Sequence, residues 1–319
     1  MQLIPPRSRP VKPFLKWAGG KGQLLKTIDT YLPLELKKGN IKSYVEPFLG
    51  GGAVFFYVAQ HYPCEEFYLF DVNNELIKAY IVVQQHVDEL IEELKKIEYE
   101  YLALSPDARE SYYYAVRYRY NESHLNNIST HNISTSYSTC VEQVSRLIFM
   151  NKTCFNGLFR VNSKGGFNVP FGDYANPTIC DVENLTNASR LLRGVIIKCC
   201  DFSKSVEFAS STSFFYLDPP YRPVSKTASF KAYAKIDFND EEQIRLGIFC
   251  EKISHLGVKL MLSNSDPTNA DELDNFFGKL YSEFNLCRVN ATRMINSKGS
   301  KRGVIREILV TNYLLEKRD

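Results

Sequence analysis

At residues 213–221 an apolar run, SFFYL, ends in an acid, two prolines and a tyrosine, DPPY. These residue types carry chemistry. Pro219 and Pro220 have no N–H and cannot continue a central strand, so they stiffen the chain after Asp218 and leave the carbonyls of Asp218 and Pro219 as acceptors. Tyr221 adds an aromatic ring. The tip of a buried strand thus becomes a rigid, acceptor-rich rim flanked by an aromatic, and its chemistry depends on what donates to it.

Two glycine-rich stretches lie upstream. FLKWAGGKGQLL (14–25) lacks the phosphate-loop spacing, and Gln23 stands where a magnesium-binding hydroxyl would be needed. Its glycines still allow close backbone approach, so Trp17 and Lys21 are placed to touch the flat and anionic parts of a ligand. The alternative for Trp17 is a core tryptophan beside a turn. EPFLGGGAVFF (46–56) has a glycine turn without the GxGxxG spacing. Its value rises because the next strand-like run, EFYLFDVN, places Asp71 where an acid commonly binds ribose hydroxyls. Glu46, Pro47, Phe48, Gly50 and Asp71 are then candidate contacts for an adenosine-bearing cofactor. Asp201 would accept from the adenine amine and Phe202 would stack on the ring.

The elements that must position these residues read as strand, glycine turn, helix, strand, acid, which opens a doubly wound parallel sheet. The pattern resumes at GVIIKCCDF (194–202), SFFYLDPPY, the helical DEEQIRLGIFCEKISHLG (240–257), the strand VKLMLSNSD (258–266) and REILVTNYLL (306–315). Three of these strands end in Asp71, Asp201 and Asp218, and open α/β sheets bind ligands at strand C-termini. The intervening block differs in composition. It holds an acidic helix (VDELIEELKKIEYEYLAL), a tyrosine-rich helix (ESYYYAVRYRYNE) and a Ser/Thr/Asn tract at 123–139 that reads as a loose loop. The expected organisation is one α/β domain, 1–82 with 190–319, and an insertion at 83–189.

Composition sets outer limits. The chain has 319 residues, 44% hydrophobic and 24% charged, as in globular proteins. The basic N-terminus has no apolar core of a secretory signal and no run reaches membrane-spanning length, so a cytoplasmic chain is expected. The eight cysteines form no CxxC pair, which argues against a zinc ribbon and for reduced thiols; no metal site is expected. The net charge of +3 is small, yet basic residues crowd both ends of the chain. They form either one electropositive face or two separate solvated patches.

In their order, FLKWAGGK, EPFLGGGAVFF, LFDVN, FNGLFRVNSKGGFNVPFG, LDPPY and SFKAY resemble the Dam family of DNA adenine methyltransferases, over nearly the whole chain from about residue 14. The resemblance implies a Rossmann-like methyltransferase sheet with an inserted, mostly helical DNA-recognition domain, in the alpha-group motif order. It implies S-adenosylmethionine as cofactor and double-stranded DNA as substrate, with GATC the leading site. In the implied chemistry, the Asp218 carboxylate and the Pro219 carbonyl accept the two hydrogens of the adenine amine, Pro220 holds the turn, and Tyr221 stacks on the base. The amine is reachable only when the base is rotated out of the duplex.

Phe230 and Tyr233 of SFKAY either fold over that base or are core aromatics under a loop. By the same resemblance Arg160 reads guanine, its alternatives being a phosphate contact or a surface charge. Leu158 and Pro170 touch a thymine methyl, Phe155 wedges into the helix with Asn156 and Tyr174 beside it, and Lys16 contacts the outer guanine. Lys298, Lys301 and Arg302 of the basic tail would clamp phosphates. A monomer is expected, with a restriction endonuclease as a separate companion. The rivals are a methyltransferase acting on cytosine, RNA or a protein amide, and a catalytically silent DNA-binding regulator. Asp at 218 and the 155–174 match disfavour the first, and an intact DPPY the second.

Overall fold

The computed structural model describes residues 9–130, 137–222, 238–292 and 304–314. The chain packs as two compact units, one of Lys21–Leu49, Tyr57–Val72 and Gly194–Asp319, the other of Met1–Gly20, Gly50–Phe56 and Asn73–Arg193.

The first unit carries the sheet. Its strands are β1 (Ser43–Glu46), β2 (Glu66–Asp71), β3 (Ile196–Cys199), β4 (Ser213–Leu217), β5 (Lys259–Ser265), β6 (Asn285–Thr292) and β7 (Val304–Thr311), in the order β3-β2-β1-β4-β5-β7-β6. β1 to β5 run parallel, while β7 is antiparallel to β5 and to β6. The order reverses between β1 and β4, and such a switch point opens a ligand crevice at the strand C-termini. Strands of a parallel sheet covered on both faces are apolar throughout, and β4 is buried at all its positions. Its Phe215 and Leu217 share one core cluster with Val45, Phe70, Leu246, Leu262 and Ile308. This is a Rossmann-like α/β sheet.

The strand-end acids fall where the pattern put them. β2 ends on Asp71, β4 ends one residue before Asp218, and Asp201 follows β3 by two. β6 had no counterpart in the sequence reading. It pairs along its whole length with β7, so its place comes from a long-range partner.

Helices α1 (Leu25–Tyr31), α2 (Leu34–Lys37) and α3 (Ala53–His61) come first in the chain, and the second unit is helical. α4 (Asn74–Gln85), α5 (Val87–Ala103), α6 (Pro106–Thr130), α7 (Tyr137–Thr153) and α8 (Val182–Leu192) pack on one another. Its edges differ from the expected 83–189. α4 belongs here because Tyr120 donates to Glu75 at 2.9 Å, Lys78 to Gln143 at 3.1 Å, and Gln84 to the Leu192 carbonyl at 2.7 Å. The N-terminal segment joins it through Lys12 N–H to Asn184 Oδ1 at 2.9 Å.

The loop expected over 123–139 is corrected. α6 continues to Thr130 and α7 starts at Tyr137, leaving only 131–136 outside the described residues. Once a helix is nucleated, each further residue adds a hydrogen bond for one residue fixed. The weak propensities of Ser, Thr and Asn therefore do not stop it.

Asn73, the last residue of LFDVN, caps α4: its Oδ1 accepts from the N–H groups of Glu75 at 3.0 Å and Leu76 at 3.2 Å. Asn73→Ala is expected to cost about 1 kcal/mol of stability and Asn73→Asp only a fraction of that, read from urea unfolding midpoints. Equal losses in the two variants would mean that the cap contributes nothing.

Candidate active site

In the sheet unit the DPPY turn is braced on every side. The Lys21 ammonium lies 2.7 Å from Asp218 Oδ1 although Lys21 is only 4% exposed. Ser263 Oγ, on β5, donates to the same oxygen at 2.9 Å. Both bonds fall on Oδ1, and among the described residues no side chain is bonded to Oδ2. Gln243 donates to the Pro220 carbonyl at 3.1 Å and itself accepts from Asn264 at 3.2 Å, which fixes the turn.

The Lys21 ammonium also sits 4.6 Å from the centre of the Tyr221 ring, a cation–π contact. The Tyr221 hydroxyl donates to Glu307 Oε2 at 2.6 Å. Burial, with Asp218 and Glu307 nearby, pushes the Tyr221 phenol well up, so it remains the donor. Burial raises the Glu307 carboxyl as well, against the opposing pull of Lys21 and of the Tyr221 bond.

The remaining strand-end residues of this unit are unlike one another. Glu46 is 2% exposed and accepts from Tyr44 at 2.7 Å. Pro47 is buried, Phe48 is half-buried and Asp71 is half-buried at the end of β2. Asp201 is engaged from two sides. Arg245 grips both its oxygens at 2.9 and 2.8 Å, and Ser203 N–H reaches it at 3.0 Å. The Ser203 side chain also bonds this carboxyl, so its acceptor positions are taken up by the protein itself.

Phe202 requires a correction. It is 2% exposed, packed against Phe48 and Phe249 with the Arg245 guanidinium 4.1 Å from its ring centre, so its face is not offered for stacking. Phe48 and its neighbour Phe238 are both half-buried and are the rings of this group with surface left. The glycines of the turn have a backbone reason: Gly50 and Gly52 lie at φ +48° and +68°, where side chains are strained.

The helical unit gathers most of the residues expected to read DNA. Asn151 on α7 bonds the Lys16 backbone at both N–H (2.8 Å) and carbonyl (2.9 Å), and also holds the Gly157 carbonyl at 3.1 Å. Trp17 stacks on Phe159 at 5.1 Å, and the Lys16 ammonium lies 5.3 Å from the Tyr174 ring centre. Gly157, at φ +64°, lets the Lys16 side chain pass where a Cβ would collide with it.

Residues 154–172 form a loop closed by bridges Cys154–Phe171 and Val161–Phe167 and by Phe155 N–H to the Pro170 carbonyl at 2.9 Å. Phe155, Asn156, Arg160 and Pro170 are exposed on it, and Leu158 is half-buried. Asn168 accepts from Arg160 Nε at 2.7 Å and from Nη2 at 3.2 Å. Phe230, Tyr233, Lys298, Lys301 and Arg302 lie outside the described residues.

Sequence reasoning missed Ser263, Gln243, Glu307 and Asn151. The first three are separated from DPPY in the chain and reach it only through sheet pairing and α9 (Asp240–His255). The one available signal was polarity inside apolar runs, in the LSNS of β5 and the REILV of β7.

A Rossmann-like sheet with a carboxylate–diproline–tyrosine turn at its switch point defines a methyltransferase-type architecture. The comparisons with known proteins narrow it. The family model described as D12 class N6 adenine-specific DNA methyltransferase matches residues 17–295, and the chain belongs to that family. It is 51% identical over 306 residues to the type II methyltransferase M.MjaIII of Methanocaldococcus jannaschii, covering 95% of this chain and 99% of the relative. It is 38% identical to M1.LlaDCHI of Lactococcus lactis subsp. cremoris, covering 98% and 99%. To the DNA adenine methylase of Haemophilus influenzae it is 33% identical, covering 93% and 92%. The protein is thus an adenine-specific DNA methyltransferase with DNA as its substrate. No helix among the described residues is long and apolar enough to cross a membrane.

The Asp201–Arg245 pair gives a pH test. Bonding to Arg245 is the largest cause holding the Asp201 carboxyl below its ordinary range. A depressed carboxyl contributes stability above its unfolded value, about 3.9, and loses that contribution as pH falls through the folded value. The stability deficit of Arg245→Met should therefore be full at pH 6–7 and shrink steadily below about pH 4, measured by urea unfolding. A deficit that does not change with pH would remove Asp201 as its source.

Proposed function

We propose that the chain moves a methyl group from S-adenosylmethionine to the exocyclic amine of adenine in duplex GATC, with the target base rotated out of the helix. The observation that carries this reading is the one-sided grip on Asp218: Lys21 and Ser263 both hold Oδ1, and among the described residues no side chain bonds Oδ2, the oxygen assigned here to the amine. Aromatic amines are weak nucleophiles because the lone pair is conjugated into the ring. When Asp218 and the Pro219 carbonyl accept the two amine hydrogens, the nitrogen moves toward tetrahedral geometry and its lone pair is localised. Tyr221 stacks on the base and fixes its plane. Positioning and fixed electrostatics supply the rate.

The strand-end set fits the cofactor: a half-buried acid at Asp71 for ribose hydroxyls and the half-buried ring of Phe48, with Asp201 beyond them. In this reading Lys21, Glu46 and Pro47 complete the set on the sheet unit, and Trp17 and Gly50 remain candidates from the sequence. When bound, S-adenosylmethionine supplies an electrophilic methyl on a sulfonium. The sheet unit is the catalytic part and the helical unit, with Lys16, Phe155, Asn156, Leu158, Arg160, Pro170 and Tyr174, the reading part. In this reading Lys298, Lys301 and Arg302 add phosphate contacts.

Two relatives named type II methyltransferases support a place in a restriction–modification system, beside a separate endonuclease. A monomer with one active site suffices, because one flipped base needs one site, and a DNA substrate is consistent with the expected cytoplasmic location.

Two experiments test the reading. Asp218→Ala should lower the methylation rate on the order of 10²–10³-fold while duplex affinity stays nearly unchanged; substantial turnover in this variant would refute the mechanism. Arg160→Ala should cost about 1–3 kcal/mol of discrimination at one guanine, so near-cognate sites gain relative to GATC. Methylating a plasmid library and sequencing the modified adenines reads this directly. An even loss over all sites would make Arg160 a backbone anchor.

A further inference from the structure

The sheet unit contains a buried acid that the methyl-transfer reading does not use. Glu307 lies in β7 within the run EILV, where apolar residues would satisfy the core, yet it is only 9% exposed. Acids are almost never buried without a partner. Its partner is the Tyr221 hydroxyl at 2.6 Å. Tyr221 as a residue keeps part of its surface, whereas burial pushes its phenol well up. The hydroxyl end is therefore tied down while part of the residue stays accessible.

Strand pairing explains why this acid reaches the turn. β7 lies beside β5 with Ser265 opposite Glu307, and β5 lies beside β4 with Leu262 opposite Leu217, the residue before Asp218. The catalytic turn is thus held by β5 through Ser263 and by β7 through Glu307.

We infer that Glu307 is a positioning residue for methyl transfer, which fixes the plane of the Tyr221 ring by accepting from its hydroxyl. The inference rests on the reading that Tyr221 stacks on the target adenine. Two prolines fix the backbone before Tyr221 but leave its side-chain torsions free. The hydrogen bond at the far end of the ring removes that freedom. The Lys21 ammonium against the ring face holds the same orientation from a second direction. A ring fixed in this way acts on the rate of the chemical step more than on DNA affinity, because misplacement of about 1 Å can cost on the order of 10² in rate.

The experiment compares single-turnover methylation rates and duplex dissociation constants for Tyr221→Phe, Glu307→Ala, Glu307→Gln, the double variant Tyr221→Phe/Glu307→Leu, and Tyr221→Ala. Tyr221→Phe keeps the ring and removes only the bond, so it should slow methylation about 10- to 100-fold with DNA affinity nearly unchanged. Glu307→Ala should match it. Glu307→Gln, which keeps an acceptor, should recover most of the rate. The double variant removes both polar partners and should be no slower than Tyr221→Phe alone, with thermal melting confirming that it folds. A wild-type rate in Tyr221→Phe, or a double variant slowed by the product of the single effects, overturns the inference even if Glu307→Ala fails to fold. If Tyr221→Ala methylates normally, the stacking reading fails first. If Tyr221→Ala is slow but Glu307→Ala and Tyr221→Phe are not, only the role of Glu307 fails.

Discussion

The ion pair between Lys21 and Asp218 governs the arrangement around the strand tip. An ammonium 4% exposed and 2.7 Å from a carboxylate cannot be left unpaired, since breaking such a pair strands a buried charge. Its worth is geometric. A buried pair is weak evidence for net stability, because the desolvation of both ions offsets most of their attraction. The pair does decide which oxygen of Asp218 is engaged. With Ser263 on the same oxygen, the carboxylate is fixed in orientation, and among the described residues no side chain bonds its other oxygen. The Tyr221 ring under the ammonium and the Glu307 carboxylate at the end of that ring follow from the same centre of charge.

Much of the sheet was legible because the signals were local. Apolar runs ending in acids gave β2, β3 and β4, and the glycines after β1 announced a turn that needs positive φ at Gly50 and Gly52. Bulkier features were misjudged where local chemistry competes with tertiary structure. The Ser/Thr/Asn content of 123–139 argued for a loop, yet helix is continuous up to Thr130 and again from Tyr137. Phe202 was expected to offer its face because an aromatic follows a strand-end acid. The core claims the ring instead, and Arg245 covers it. The strand β6 was not seen at all, since nothing within its own residues specifies pairing with β7.

The candidate site was legible only in its motif residues. Asp218, Tyr221 and Lys21 stand in short stretches of unusual composition, whereas the residues that hold them, Ser263, Gln243 and Glu307, are ordinary letters in ordinary strands and helices. Asn151 makes the same point in the helical unit. A buried asparagine near the C-terminal end of α7 satisfies both backbone groups of Lys16 and the carbonyl of Gly157, and so joins two motifs 135 and 6 residues away. No window of sequence contains that information.

Four acids at or beside the C-terminal ends of the parallel strands, Glu307 of β7 lying opposite Ser265 at the end of β5, illustrate why position alone does not assign function. Asp201 is gripped by Arg245 on both oxygens and capped by Ser203, so its charge is mostly spent on the protein itself. Glu46 is buried against the Tyr44 hydroxyl. Glu307 is desolvated enough for its carboxyl to be raised, and it serves a phenol. Asp218 has one oxygen held by a lysine and a serine, while among the described residues no side chain occupies the other. The switch point explains why acids collect at this edge, but the work each can do is set by the donors around it. Asp218 combines two donors on one oxygen, an ammonium and a hydroxyl, with a second oxygen that no described side chain bonds.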